Sequence, residues 1–210
     1  MPQQKLSNAI EYLQDLLPQA TRSEKRLRKA LYLLLANAKP VSINELAAYL
    51  NIDIPQLKQE LANQSYVEYD AQENIIAFRG LTLKTTQHQV DIAQANFFTW
   101  CAFDALFVAD LVNKQTQIKT LCPCCNTDLS LMINPSSVQQ QNQSIVMSFV
   151  IANPQQYQQE LQQSFCCKVH FFCDLECGNQ WTSDKPNLQL FYLDDALKIA
   201  KSRNQLFLAS

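Results

Sequence analysis

Apolar and polar positions follow two different rhythms in this chain, one in each part. Between Ser23 and Asn37, "SEKRLRKALYLLLAN", apolar side chains recur at Leu27, Ala30, Leu31, Leu34 and Leu35, the stripe of an amphipathic helix with Ser23 placed to cap it. Pro40 ends that run. In "VSINELAAYLN" Ser42 and Glu45 have the spacing of a capping box, and in "DIPQLKQELANQ" Asp53 precedes a second short helix with Pro55 in its first turn. "YVEYDAQENIIAF" then alternates on either side of "DAQEN", as a hairpin does. Residues 23 to 80 therefore read as three helices and a wing, a winged-helix-like arrangement.

Beyond Gly80 the period shortens to two. Strands are predicted in "LTLKTTQHQVDI", "QTQIKTLCP", "DLSLMIN" and "SIVMSFVI". The apolar segment "NFFTWCAFDALFVADLV" has helical length, and Asn96 is placed to cap it. Pro135 and the glutamine-rich "SSVQQQNQS" mark a solvated loop, Pro154 opens "PQQYQQELQQ" as a short exposed helix, and "LDDALKIAKSRNQLF" closes the chain as a helix that buries Ala196, Ile199 and Ala200. The fold class expected is α+β: a helical, winged-helix-like domain at residues 1–80, then a mainly antiparallel β-sheet domain with flanking helices at 81–210.

Composition narrows the function. Hydrophobic residues make up 47% of the 210, enough for a substantial core, and no apolar run reaches the ~18 residues of a membrane span. The N-terminal "MPQQKLSNAI" lacks the basic-then-apolar plan of a signal peptide, so the expected location is the cytoplasm, with no membrane partner. A net charge of -2 offers no excess of cations for nucleic acid, and the second short helix, where a winged helix would read DNA, supplies only Lys58 beside Glu60. Nucleic-acid binding is thereby disfavoured. With only Gly80 and Gly178 as glycines, there is no glycine-rich phosphate loop.

All eight cysteines lie between Cys101 and Cys177, and in a reducing compartment they point to metal binding or catalysis rather than disulfides. In "QSFCCKVHFF" strand alternation puts Phe165, Cys167, Val169 and Phe171 on an apolar face and Cys166, Lys168, His170 and Phe172 on a more polar one. Cys166 is then the better working thiol, with Lys168 or His170 as a cation to help it ionise; two buried core cysteines fit the same pattern. In "TWCAFDALF", Cys101 and Asp104 stand i,i+3 on the expected helix and project from one face, although a structural cysteine and a surface aspartate would show the same spacing. Burial of Asp104 in so apolar a segment would raise its pKa and fit it to hold and return a proton.

Three segments, "YDAQENIIAFRGLTL", "FFTWCAFDALF" and "QSFCCKVHFF", in this order after a winged-helix-like region, resemble the organomercurial lyase (alkylmercury lyase) family. The resemblance runs from about residue 23 to the C-terminus and implies a catalytic set of Cys101, Asp104 and Cys166, with the two cysteines as ligands of mercury. It further implies protonolysis of a carbon–mercury bond to hydrocarbon and mercuric ion, with no organic cofactor, an organomercurial as substrate, small thiols as auxiliaries and mercuric reductase as a recipient of the ion. Trp100 and Phe103 stand where they would keep such a pocket dry, or simply pack in the core.

A second cysteine group departs from the family's better-known members. "CPCC" and "FFCDLECGNQW" supply Cys122, Cys125, Cys173 and Cys177 as a possible four-thiolate structural zinc site, with Cys124 spare. The second segment resembles the knuckle-plus-helix half of a treble-clef zinc finger, with Gly178 and Trp181 beyond the last cysteine. These thiols fit three roles: holding zinc, accepting product mercury, or packing in the interior. The winged helix and paired cysteines also suggest a non-catalytic zinc-binding or metal-responsive regulator, for which a basic recognition helix is missing.

Overall fold

A computed structural model describes residues 2–17, 20–134, 137–140, 144–151 and 164–208. Among them are seven α-helices and two antiparallel sheets, so the chain is α+β. The N-terminal helix α1 (Pro2–Leu16) goes beyond the elements read from the pattern; it buries Ala9, Tyr12 and Leu13 and packs against the C-terminal helix. Helix α2 (Arg22–Leu35) starts two residues earlier than a Ser23 cap would allow. Thr21 is its cap: the Thr21 hydroxyl accepts the Glu24 N–H, while the Glu24 carboxylate accepts the Thr21 N–H at 2.7 Å. Ser23, a residue inside the helix, instead donates to Glu60.

Helices α3 (Ile43–Leu50) and α4 (Ile54–Ala62) are capped by Ser42 and Asp53, and Pro55 sits in the first turn of α4. Leu46, Leu50, Leu57 and Leu61 turn their apolar faces inward. The hairpin β1 (Val67–Tyr69) and β2 (Ile75–Phe78) follows, its turn held by the Asp70 carboxylate, which accepts the N–H groups of Gln72 and Asn74.

From β2 the large sheet continues through β3 (Leu81–Thr82), β4 (His88–Ile92), β5 (Ala95–Thr99), β6 (Thr116–Leu121), β7 (Asp128–Asn134) and β8 (Ser137–Gln140), in the order β1-β2-β3-β5-β4-β6-β7-β8. Alternation works as expected here: β4 buries His88, Val90 and Ile92, and β7 buries Leu129, Leu131 and Ile133. A three-stranded sheet, β10-β9-β11, consists of β9 (Val146–Val150), β10 (Phe171–Phe172) and β11 (Leu188–Tyr192). Helix α5 (Ala102–Val112) is buried from Ala102 to Ala109 and lies among α2, β3, β4, β5, β9 and the last helix, α7 (Leu193–Leu208); α6 (Leu175–Thr182) packs on β9 and β11. An apolar run without an amphipathic stripe belongs at such a position.

Three local expectations need correction. The segment from Asn96 is not one helix: Ala95–Thr99 is a strand, because a two-residue turn with Ala93 at φ 54 folds it back onto β4, and the helix starts only after Cys101. The apolar run fitted either element, and cross-strand pairing decides it. Secondly, "QSFCCKVHFF" is not one strand. Cys166–Lys168 form a single 3-10 turn, and only Phe171–Phe172 pair with β9. Thirdly, part of the glutamine-rich loop, Ser137–Gln140, is a strand on the edge of the large sheet, paired with β7. The helix expected in "PQQYQQELQQ" lies outside the described residues.

The capping geometry at Thr21 gives a stability prediction. Thr21→Ala should cost about 1 kcal/mol and lower the melting temperature by about 2–4 °C in thermal denaturation followed by circular dichroism. An unchanged transition would mean that α2 does not depend on this cap.

Candidate active site

The strand-to-helix junction places the first two site residues. Cys101 has extended backbone (φ -148, ψ 173) at the N-cap of α5, and Asp104 is the third helical residue, so the Asp104 carboxylate reaches back and accepts the Cys101 N–H at 3.1 Å. Thiol and carboxylate are thus brought together by N-cap geometry rather than by a shared helix face. Cys166 arrives from the 3-10 turn, and its Sγ lies 3.9 Å from Asp104 Oδ2. The two sulfurs and a carboxylate oxygen all fall within 4.8 Å of one another, and all three residues are buried.

Cys166 is therefore not on the polar face of a strand. Cys166 is buried and Cys167 exposed, the reverse of the faces a strand would give, because the 3-10 turn points Cys166 inward. Lys168 is exposed, and His170 Nε2 lies 3.0 Å from the Cys167 carbonyl oxygen. The groups that act on the Cys166 thiol are Cys101, Asp104 and Cys167.

Burial governs the protonation of the trio. It pushes Asp104 up to about 6, against the hydrogen bonds from Cys101 and Cys166 and the positive charge of Arg203. Burial likewise raises Cys101 well above the usual thiol range, aided by Cys166 and Asp104. The contact with Cys101 pulls Cys166 down, but burial and its neighbours Asp104 and Cys167 outweigh it, and its pKa is raised. Near neutrality the site holds two thiols beside a carboxyl poised between its two forms.

Three participants lay outside the sequence reading. Gly80, with φ +104, passes so close beneath Asp104 that a Cβ there would lie 2.4 Å from the carboxyl carbon. Its being one of only two glycines was the available signal. Arg79 and Arg203 line the same small cavity of about 50 Å³ as Asp104 and Cys166, whose apolar walls include Leu13, Phe103, Phe107 and Phe165. The Arg203 guanidinium stacks 3.8 Å above the Phe107 ring and donates to the Tyr32 hydroxyl at 2.7 Å, and that hydroxyl donates to the Arg79 carbonyl at 3.0 Å. This chain of contacts holds the backbone just before Gly80. Of the two aromatic residues expected to dry the pocket, Phe103 lines it, whereas Trp100 is half-buried against Tyr66.

The other four cysteines also meet. The Sγ atoms of Cys122, Cys125, Cys173 and Cys177 lie within 4.8 Å of one another, and the Cys124 thiol, at the edge of this group beside Cys177, donates to Gln180 Oε1.

The alkylmercury lyase family model matches residues 81–204. An alkylmercury lyase of Pseudomonas putida is 30% identical over 165 residues, which cover 77% of this chain and 75% of that protein. The chain belongs to the alkylmercury lyase family. An alkylmercury lyase of Staphylococcus epidermidis is 25% identical over 83% of this chain and 80% of its own, and one of Streptomyces lividans is 25% identical over 90% and 86%. The crystal structure of the mercury-bound form of MerB2 shares the fold, with a TM-score of 0.75 at 17% identity, covering 97% of this chain and 99% of that one. The matched family region contains Cys101, Asp104 and Cys166, as well as the four-cysteine group.

Two predictions follow from the packing around Asp104. Gly80→Ala should destabilise the protein by about 2–3 kcal/mol in urea unfolding, since the left-handed backbone and the carboxyl group both oppose a Cβ. A loss below half a kcal/mol would show that the loop yields. The second concerns pH. Asp104 has its folded pKa raised to about 6, so the folded state binds the proton more tightly than the unfolded state, and the stability this contributes is complete below about pH 4. It is lost as pH rises through about 6 and amounts to about 3 kcal/mol. Asp104→Asn should remove that component, so subtracting its unfolding profile from that of the parent should leave a fall between pH 4 and 7; parallel profiles would contradict a raised pKa.

Proposed function

We propose that this protein is an organomercurial lyase that cleaves the carbon–mercury bond by protonolysis, with Cys101 and Cys166 as the mercury ligands and Asp104 as the proton carrier. The observation that carries this reading is the convergence of two buried thiols and one buried carboxyl from segments 62 residues apart, beside a small cavity that Asp104 and Cys166 line with Phe103, Phe107 and Phe165.

The chemistry accounts for each residue type. Mercury is soft and prefers thiolates, and a thiol that coordinates a metal gives up its proton. The raised pKa values of Cys101 and Cys166 therefore matter only until the substrate binds. The first thiol displaces the substrate's exchangeable ligand X, its proton leaving with that ligand as HX, to give R–Hg–S; the second thiol passes its proton to Asp104 as its sulfur bonds to mercury. Two thiolates on one metal push electron density toward carbon, and Asp104 returns the proton to that carbon as the bond breaks. The balance is R–Hg–S(Cys) plus HS(Cys) giving R–H and mercuric ion held by two sulfurs. A carboxyl with a pKa of about 6 suits both halves of this transfer, since it accepts and releases a proton near neutral pH at small cost.

Other parts of the chain take supporting roles in this reading. Helices α2 to α4 with the β1–β2 hairpin support a winged-helix-like scaffold at residues 1–80, ahead of a catalytic unit at 81–210. Helix α4 carries Lys58 alone as a cation, which argues against the regulator and against DNA as a partner. No described helix is long and apolar enough to cross a membrane. Small thiols present in a cytoplasmic setting, and a mercuric reductase, would then carry off the product ion.

Cys101→Ala and Cys166→Ala should each abolish release of benzene from phenylmercury in the presence of excess small thiol, whereas Cys167→Ala, whose side chain is exposed, should keep activity within a few-fold of the parent. Full activity in either of the first two variants would refute the assignment.

A further inference from the structure

The cysteines that the proposed reaction does not use are arranged as a second metal centre. We propose that Cys122, Cys125, Cys173 and Cys177 bind one zinc ion as a tetrahedral tetrathiolate site that fastens the large sheet to the small one. A zinc ion with Zn–S bonds of about 2.3 Å sets its four sulfurs about 3.8 Å apart. Here Cys125 and Cys173 are 3.5 Å apart, Cys173 and Cys177 are 3.4 Å apart, and all four sulfurs lie within 4.8 Å of one another. A disulfide would need about 2.05 Å, and all four are free thiols.

Both arms are built to present sulfur. The first is the turn between β6 and β7, closed by the Asn126 N–H donating to the Cys122 carbonyl at 2.8 Å and the Cys122 N–H donating to the Thr127 carbonyl at 2.9 Å, with Asn126 left-handed at φ 58. The second is the end of β10 and the first turn of α6, where the Asp174 carboxylate accepts the Cys177 N–H at 2.8 Å. Gly178 lets that helix sit against the small sheet, since a Cβ there would lie 2.9 Å from Leu190 and 3.0 Å from Val146. Four sulfurs in a closed, mutually close set, which Cys124 borders through Cys177 while donating to Gln180 but does not join, match a structural site rather than an open catalytic one. A tetrahedral all-sulfur set suits zinc or iron.

The position gives the site its purpose. Cys122 and Cys125 follow a strand of the large sheet, and Cys173 follows the strand of the small sheet that leads directly from the Cys166 turn. A metal held there fixes the end of the segment whose other end carries Cys166. It shares no ligand with Cys101, Asp104 or Cys166, so the proposal is independent of the lyase reading.

The test is metal content of the full chain after reduction, loading with zinc and gel filtration. One zinc per chain is expected, retained by a Cys101→Ala/Cys166→Ala double variant and lost from Cys125→Ser/Cys177→Ser. Replacement by cobalt should give thiolate-to-metal charge transfer and the visible bands of a tetrahedral site, and this reading on the parent protein decides the matter if the serine variant does not fold. Less than half an equivalent of zinc in the parent, octahedral cobalt bands, iron in place of zinc in protein purified without added metal, or zinc retained by Cys125→Ser/Cys177→Ser would each overturn the proposal.

Discussion

The burial of the Asp104 carboxyl against the backbone of Gly80 is the constraint around which the rest of the site is arranged. A carboxyl group in an apolar interior is costly unless it is hydrogen-bonded, neutral, or close to a cation. Asp104 accepts the N–H of Cys101, has Arg203 as opposing charge, and is still pushed by burial up to about 6, so that it is partly neutral near pH 7. Nothing larger than a hydrogen fits between it and residue 80. The backbone there is in turn held through Tyr32, whose hydroxyl joins Arg203 of α7 to the carbonyl of Arg79. Helices α2 and α7 thereby set the position of a side chain on α5.

The two thiols beside that carboxyl come from different sheets. Cys101 ends the strand-to-helix junction of the large sheet, while Cys166 belongs to a turn that enters the small one. Helix α5 touches both β5 and β9 and so forms the common wall. Any shift of one sheet on the other would change the sulfur-to-sulfur distance directly. A ligand pair for a soft, linearly disposed metal tolerates little of that, which makes the packing between the sheets part of the proposed chemistry.

Much of this was legible in the sequence, though unevenly. Caps at Ser42 and Asp53, the Asp70 turn and the alternating strands β4 and β7 announced themselves because their signals are local. The cysteines and Asp104 stood out by chemical type. What failed was short-range geometry where two elements compete for an apolar run: Ala95–Thr99 became a strand only because Ala93 turns the chain onto β4, and the Cys166–Lys168 turn reversed the faces inferred for Cys166 and Cys167. Alternation singled out Cys166, and the structure does bring it beside Cys101 and Asp104, but through a 3-10 turn and not through a strand face. Gly80, Arg79 and Arg203 could not be placed, because their roles arise from contacts between elements far apart in sequence.

The two thiol clusters differ in solvation in a way that fits their different proposed tasks. The Cys101, Asp104 and Cys166 group is buried throughout, and such a medium lifts the carboxyl to about 6, where it can exchange a proton near neutrality as the proposed reaction requires. Four thiolates around a divalent metal instead carry two net negative charges, which a dry interior would penalise heavily. The second cluster accordingly spans a gradient, from the buried Cys122 through the half-buried Cys173 and Cys177 to the exposed Cys125. Exchanging the two environments would return Asp104 to the ordinary carboxylate range in one site and strand uncompensated charge in the other, so the division between dry and wet thiols follows from electrostatics as much as from folding.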